Sequence, residues 1–180
     1  MTGILFLLKQ LGRDAPPAQR DALEEAQQAV RANLEEVRRI AQELRPEALD
    51  HLGLASALNN LARAFARRTS ITVDRRIDPQ LGQLDRNVEL VLYRVAQEGL
   101  TNVARHSNAT EALLALSRNG ASVVLRVADN GHGVKPPLRE GGGLRGIREN
   151  ALIVGAALAI KPSPMGGLEV RLEVPTTNAD

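Results

Sequence analysis

Apolar and polar positions follow one another along this chain in two rhythms, and the change of rhythm divides it. Ile4, Leu5, Leu7, Leu8 and Leu11 share one face of a short helix over 2–12. Gly12 and Pro16-Pro17 then mark a turn. From about Pro17 to Leu44, residues Leu23, Ala26, Val30, Val37, Ile40 and Leu44 recur at steps of three and four, with Asn33 in the remaining seat. This heptad pattern lasts about three repeats, the lower limit for a coiled-coil-like seam. A single amphipathic helix lying on its own domain has the same period. The sharper expectation is an antiparallel hairpin that pairs with a second copy as a four-helix bundle. Asn33 then either sets register or faces water.

Beyond Pro46 the rhythm changes. Leu49–Leu54 reads as a short connector and 54–68 as an amphipathic helix carrying Leu54, Leu58, Leu61, Ala62 and Phe65. Alternation predicts a strand over 71–77. Asp85 is a natural N-cap for a helix over 86–106, whose Val88, Val91, Leu92, Val95, Gly99 and Val103 form a wide buried stripe. Strands near 111–118 and 121–129 flank Asn119-Gly120, a strong hairpin signal. A Gly/Pro-rich loop over 130–143 leads to a short helix near 144–154 and strands near 157–161 and 168–174. In the last strand Leu168, Val170, Leu172 and Val174 alternate with Glu169, Arg171 and Glu173, which predicts one buried and one wet face. The second part is therefore α+β, a mixed or antiparallel sheet with helices on one face.

Composition narrows the function. With 180 residues, 43% hydrophobic and 24% charged, the chain suits one domain with a real core, or a small domain plus an appendage. The net charge of +2 is spread evenly, and Phe6, Phe65 and Tyr93 are the only aromatic rings, so neither a basic face nor a base-stacking platform is expected. No nucleic-acid partner is expected. Cysteine is absent, which removes disulfide and thiolate chemistry and suits a cytoplasmic setting. The run Ile4–Leu8 is far shorter than the ~18–20 residues of a membrane span. This segment should make no membrane contact, although a longer parent could be anchored.

Two short runs carry the chemistry. Arg94, Glu98, Asn102 and His106 form one i, i+4 row on the 86–106 helix. Such a row is often a solvated face laced with ion pairs. An Asn oxygen also suits a hard cation such as Mg²⁺, and a neighbouring Glu can hold one of its waters or act as a base. Asp129-Asn-Gly131-His-Gly133 closes an apolar strand. Its acid either makes a plain turn or accepts a hydrogen bond from an exocyclic amine such as adenine's. Gly141-Gly142-Gly143-Leu-Arg-Gly146 matches G-x-G-x-x-G but follows two prolines and no strand, so it fails as a dinucleotide fingerprint. A lid entering a helix N-terminus fits it better, since free amides there attract phosphate. Arg105 and His106 either reach a phosphate or end the helix as solvated cations. His51 and His132 fall in predicted loops, and the three histidines have no zinc-ligand spacing.

In this order the motifs resemble the GHKL ATPase superfamily, specifically the catalytic domain of bacterial sensor histidine kinases. Glu98-x-x-x-Asn102-x-x-Arg105-His106 looks like the N box, Asp129-x-Gly131-x-Gly133 the first glycine box, and Gly141-x-Gly143-Leu144-x-x-Gly146 the second. Arg38 to Leu54, through Pro46 and Gly53, resembles the end of the dimerization domain in the nitrate-sensor and DesK-like class. The resemblance implies a GHKL-type α/β sandwich over 51–180, with core motifs over 85–176, after a helical hairpin over 1–50. It implies ATP and Mg²⁺ as cofactors, adenine at Asp129, metal at Asn102, a catalytic Glu98, and phosphate contacts from Arg105, His106 and the glycine boxes with Leu144. It further implies a homodimer through the hairpin and a response regulator as partner. In this class the phosphoacceptor histidine lies upstream of the segment matching Ile4–Leu11. The chain therefore looks like an amino-terminally truncated kinase with no acceptor of its own, a weakened dimer that should not phosphorylate itself. Leu168 stands where the family usually has a small hydroxyl residue, and Ala156 follows Gly155. The competing expectations are a non-catalytic nucleotide-binding dimerization module and an anti-sigma-type serine kinase, which shares the pocket.

Overall fold

The computed structural model describes residue 30, residues 46–133 and residues 142–176. The expected hairpin over 2–44 and most of the expected lid lie outside the described residues, apart from a helical Val30. The chain divides into two units, Met1–Arg45 and Pro46–Asp180.

In the second unit, α1 (Glu47–Arg68) comes first and takes in the stretch expected to be a connector, with a kink at Gly53. β1 (Thr72–Ile77) and α2 (Arg86–His106) follow, then β2 (Glu111–Asn119), β3 (Ser122–Asp129), α3 (Gly142–Ile153), β4 (Ala157–Pro162) and β5 (Leu168–Pro175). The five strands form one mixed sheet in the order β1-β2-β3-β5-β4, with β1 parallel to β2 and the other neighbours antiparallel. The α+β expectation holds.

The core lies between one sheet face and the helices. Leu114, Leu116, Leu125, Val127 and Leu172 meet Leu92, Val95 and Leu100 of α2 and Leu58 of α1. Full burial of such side chains contributes about 1.5–3 kcal/mol each. Asp85 caps α2 as its sequence predicts, accepting the Asn87 amide at 2.7 Å. Gly99 lets α2 approach the sheet, because a Cβ there would come within 3.1 Å of the Val127 side chain.

Two expectations need correction. The β2–β3 turn is centred one residue later than Asn119-Gly120. Asn119 pairs with Ser122, so Gly120 and Ala121 make the turn, and positive φ falls on Gly120 alone (58°). That is the pattern of a type II′ connection, which places glycine first and accepts alanine second. The outer face of β5 is also not uniformly wet. Glu169 is only 1% exposed, and its carboxylate accepts Arg126 Nη2 at 2.5 Å and Nε at 3.1 Å, with Lys161 Nζ at 3.4 Å. Burial pushes its carboxyl up, but the hydrogen bonds and charges of Arg126 and Lys161 outweigh this and hold it below the ordinary glutamate value.

Candidate functional site

The site is assembled where α2, the end of β3, the start of β5 and the start of α3 meet. Glu98 and Asn102 lie one turn apart on α2, both half-buried. They face the first turn of α3. A Cβ at Gly143 would overlap the Glu98 carboxylate and stand 3.1 Å from Asn102 Oδ1. The helix backbone thus approaches these two side chains as only glycine permits. Asn102 Nδ2 is buried and has no hydrogen-bond partner among the described residues. A buried donor left unpaired costs about 1–3 kcal/mol.

The second part of the site centres on Asp129, which is 3% exposed. One carboxylate oxygen accepts the Gly131 amide at 2.8 Å and the other the Leu168 amide at 3.3 Å. The Asp129 carbonyl accepts the Gly167 amide at 3.1 Å. A Cβ at Gly167 would collide with the Asp129 carboxylate, and one at Gly131 with the Ser107 carbonyl. Both glycines are steric requirements of the acid's setting.

Ser107 links the two parts. It follows α2 directly, and its carbonyl accepts the His132 amide at 3.0 Å. Asn130 fixes the same loop to the start of β2, accepting the Thr110 and Glu111 amides at 2.9 and 3.0 Å. The strand-end turn is therefore fastened to the helix that carries Glu98 and Asn102.

The other expected site residues are placed unevenly. Gly133 packs beside the Gly167 carbonyl. Leu144 is half-buried against the core. Gly142 and Gly143, expected in the loop, are helical, and Gly146 sits in α3 with open space around it. Arg105 and His106 are exposed at the end of α2, and Gly141 lies outside the described residues. His51 is helical rather than in a loop, and His132 is exposed with Nδ1 2.8 Å from the Gly133 carbonyl. Among the described residues no three His, Cys, Asp or Glu gather as a metal cage. Sequence reasoning missed Ser107, Asn130, Gly167 and the Leu168 amide. The pair Gly166-Gly167 before a clearly alternating strand was the available signal.

Residues 87–178 match the family described as histidine kinase-, DNA gyrase B- and HSP90-like ATPase. The chain belongs to this ATPase family. Membership implies ATP binding. Residues 2–49 match a second model, described as histidine kinase, and the two together place this ATPase among sensor histidine kinases of the nitrate-sensor and DesK-like class. Its curated relatives include the signal transduction histidine-protein kinase/phosphatase DegS of Brevibacillus brevis, 30% identical over 84% of this chain and 40% of its own. The oxygen sensor histidine kinase NreB of Staphylococcus carnosus is 32% identical over 81% of this chain and 43% of its own. The chain thus spans about two fifths of the length of these relatives. Among solved structures, the histidine kinase domain of the Erythrobacter litoralis EL346 blue-light activated histidine kinase superposes with a TM-score of 0.65 at 18% identity, covering 97% of this chain and 93% of that one. Acinetobacter baumannii AdeS gives 0.63 at 13% identity, covering 98% and 95%. At these identities the likeness establishes the fold. No described helix of this ATPase is long and apolar enough to cross a membrane.

Proposed function

We propose that the site binds Mg·ATP and passes its γ-phosphoryl group to a histidine, from which it moves to an aspartate of a response regulator. The observation that carries this reading is the pairing of a buried, amide-held Asp129 with an unpartnered Asn102 carboxamide, fastened together through Ser107. Asp129 has acceptor capacity beyond its two amide bonds and takes the adenine amine, while Gly131, Gly133 and Gly167 keep the backbone close. Asn102 offers a neutral oxygen to magnesium, and the sparse protein ligand set suits an ion that keeps waters and phosphate oxygens in its shell. Bound there, magnesium would neutralise charge developing on the triphosphate. Glu98 would hold a water of that shell or take a proton. Gly141, Gly143, Leu144 and Gly146 bring the first amides of α3 to the phosphates, and Arg105 and His106 swing in from the end of α2.

In the transfer, the bond between the γ-phosphorus and the β,γ-bridging oxygen breaks, a phosphorus–nitrogen bond forms and ADP leaves. The protein contributes mainly position and charge neutralisation. On this reading residues 1–50 belong to the dimerization part and 51–180 to the ATP-binding domain. The stretch matching the histidine kinase family, 2–49, contains no histidine, so these 180 residues are expected to need an acceptor supplied in trans and not to label themselves. Incubation with γ-labelled ATP tests this. Label should reach histidine only when a second chain carrying an acceptor helix is added. Acid-labile phosphate on this chain alone sinks the trans assignment, ATP binding without transfer to any acceptor favours the dimerization module, and label on a partner's serine favours the serine kinase.

A further inference from the structure

The edge of the sheet farthest from β4 carries a second feature, separate from the nucleotide site. Among the described residues β1 is paired on one side only. Thr72 and Asp78 donate their amides to Thr110 and Leu116 on the β2 side. In a parallel pair alternate residues turn both backbone groups toward one neighbour, so Thr72, Asp74, Arg76 and Asp78 serve β2. Val73, Arg75 and Ile77 then direct their N–H and C=O groups outward, a ready template for another strand.

Beside this edge runs a groove of about 500 Å³ between α1 and β1. Its floor is apolar, formed by Ala66, Ile71 and Val73, and its rim carries Arg63, Arg67 and Arg75, with no carboxylate in the lining. Arg63 and Arg67 are one turn apart on α1, and Arg75 stands between Val73 and Ile77 on the side of β1 that faces α1. All three are exposed, and none makes a hydrogen bond or ion pair among the described residues. By contrast, Arg76 on the other face pairs with Asp74 at 2.8 Å.

We propose that this edge docks an extended acidic segment of a partner protein, added as a strand to β1 with its carboxylates on Arg63, Arg67 and Arg75. Main-chain hydrogen bonds to Val73, Arg75 and Ile77 supply the pairing and the three guanidiniums select the charge. The same charge disfavours a second copy of this chain, since antiparallel self-pairing centred on Arg75 opposes arginine to arginine.

The test uses the whole chain and a fluorescein-labelled peptide of alternating glutamate and valine, followed by anisotropy. Binding should weaken with salt. It should fall by about tenfold or more in R63E/R67E and in R75E, while R63K/R67K keeps most of it. Nucleotide affinity and Tm, measured on every variant, should be unchanged. Methylating alternate peptide nitrogens should abolish binding, and the Val73, Arg75 and Ile77 amides should exchange more slowly in the complex. No binding, equal binding by the charge-reversed variants, protection away from β1, or preference for single-stranded DNA or anionic vesicles over the peptide would each overturn the proposal. None of these outcomes depends on ATP binding, so failure here is distinct from failure of the kinase reading.

Discussion

Asp129 and Glu169 are both buried carboxylates, a single register step apart across the β3–β5 pair, where Ala128 stands opposite Glu169. Their surroundings are opposite in kind. Glu169 meets Arg126 and Lys161, two cations that answer its charge. Among the described residues Asp129 meets only neutral backbone amides, of Gly131 and Leu168, in a setting that excludes side chains at Gly131 and Gly167. Burying a charge without a counter-ion is costly, and amide donors offset only part of that cost. A carboxylate already matched to cations holds the sheet together. One held by amides alone has spare lone pairs to offer a ligand. Burial is nearly equal at the two sites, so the partners decide the role.

The largest effect should come from filling the cradle. Gly167→Ala and Gly131→Ala each drive a Cβ into atoms that cannot move freely, the first into the Asp129 carboxylate, the second into the Ser107 backbone. Overpacking of this kind costs about 1–3 kcal/mol or more, which for a domain of this size lowers Tm by roughly 5–15 °C. ATP binding should vanish as well. Gly146→Ala is the control, with open space and a helical backbone, and should match or slightly exceed the wild type in Tm by differential scanning fluorimetry. An intact Tm and nucleotide affinity in Gly167→Ala would show that the cradle is not needed.

Exchanging each acid for its amide sharpens the contrast. Both Asp129 oxygens accept from N–H groups, so a carboxamide in their place would turn its own donor toward one of those N–H groups. Asp129→Asn should lose about 1–3 kcal/mol of stability and about 10–100-fold in ATP affinity. Glu169→Gln should lose a comparable 1–3 kcal/mol, because Arg126 and Lys161 are partly exposed and can turn to water. Its ATP affinity should stay within about twofold. Calorimetric titration with ATP and urea unfolding of the same two proteins decide it, and equal losses of affinity would erase the distinction drawn between the acids.

Asn102→Ala is the next smaller change in stability. Its buried Nδ2 makes no hydrogen bond among the described residues, so relief of that unpaired donor offsets the packing lost and stability should move by less than about 1 kcal/mol, while the magnesium dependence of ATP binding should disappear. An unchanged response to magnesium would place the ion elsewhere.

The residues on which these changes act were not equally visible beforehand. The N-cap at Asp85, the buried stripe of α2 and the strand alternations are local patterns with local causes, and they read directly from the sequence. Glu98, Asn102 and Asp129 stood out as candidates, because they combine motif spacing with a helix row or a strand end. Ser107, Gly167 and the Leu168 amide did not. They act through backbone atoms or through the absence of a side chain, and the Leu168 contact spans 39 residues. The burial of Glu169 was hidden for a related reason. Strict alternation assigns it to the wet face, and only the fold brings Arg126, 43 residues away, to cover it. The Gly120-Ala121 turn was missed by one residue because Asn119-Gly120 and Gly120-Ala121 are both acceptable two-residue connections, and pairing decides between them.

The smallest predicted effect is the most specific to Glu169. Its folded carboxyl lies below the ordinary glutamate value, through Arg126 and Lys161 acting against burial. Between the folded value and the ordinary unfolded value the unfolded chain therefore binds more protons than the native one, and stability must rise with pH across that window. The contribution is complete above the unfolded glutamate range and is lost as pH falls through the depressed folded value. A glutamine side chain at this position has no proton to bind. The stability gap between wild type and Glu169→Gln, measured by urea unfolding at steps from about pH 7 down to about pH 3, should stay constant near neutrality and narrow at acid pH. The two proteins differ only in this one titratable proton, so the narrowing belongs to the carboxylate. A gap that holds steady or widens toward acid would mean that Glu169 is held by packing and not by its cations, and the contrast with Asp129 would lose its electrostatic basis.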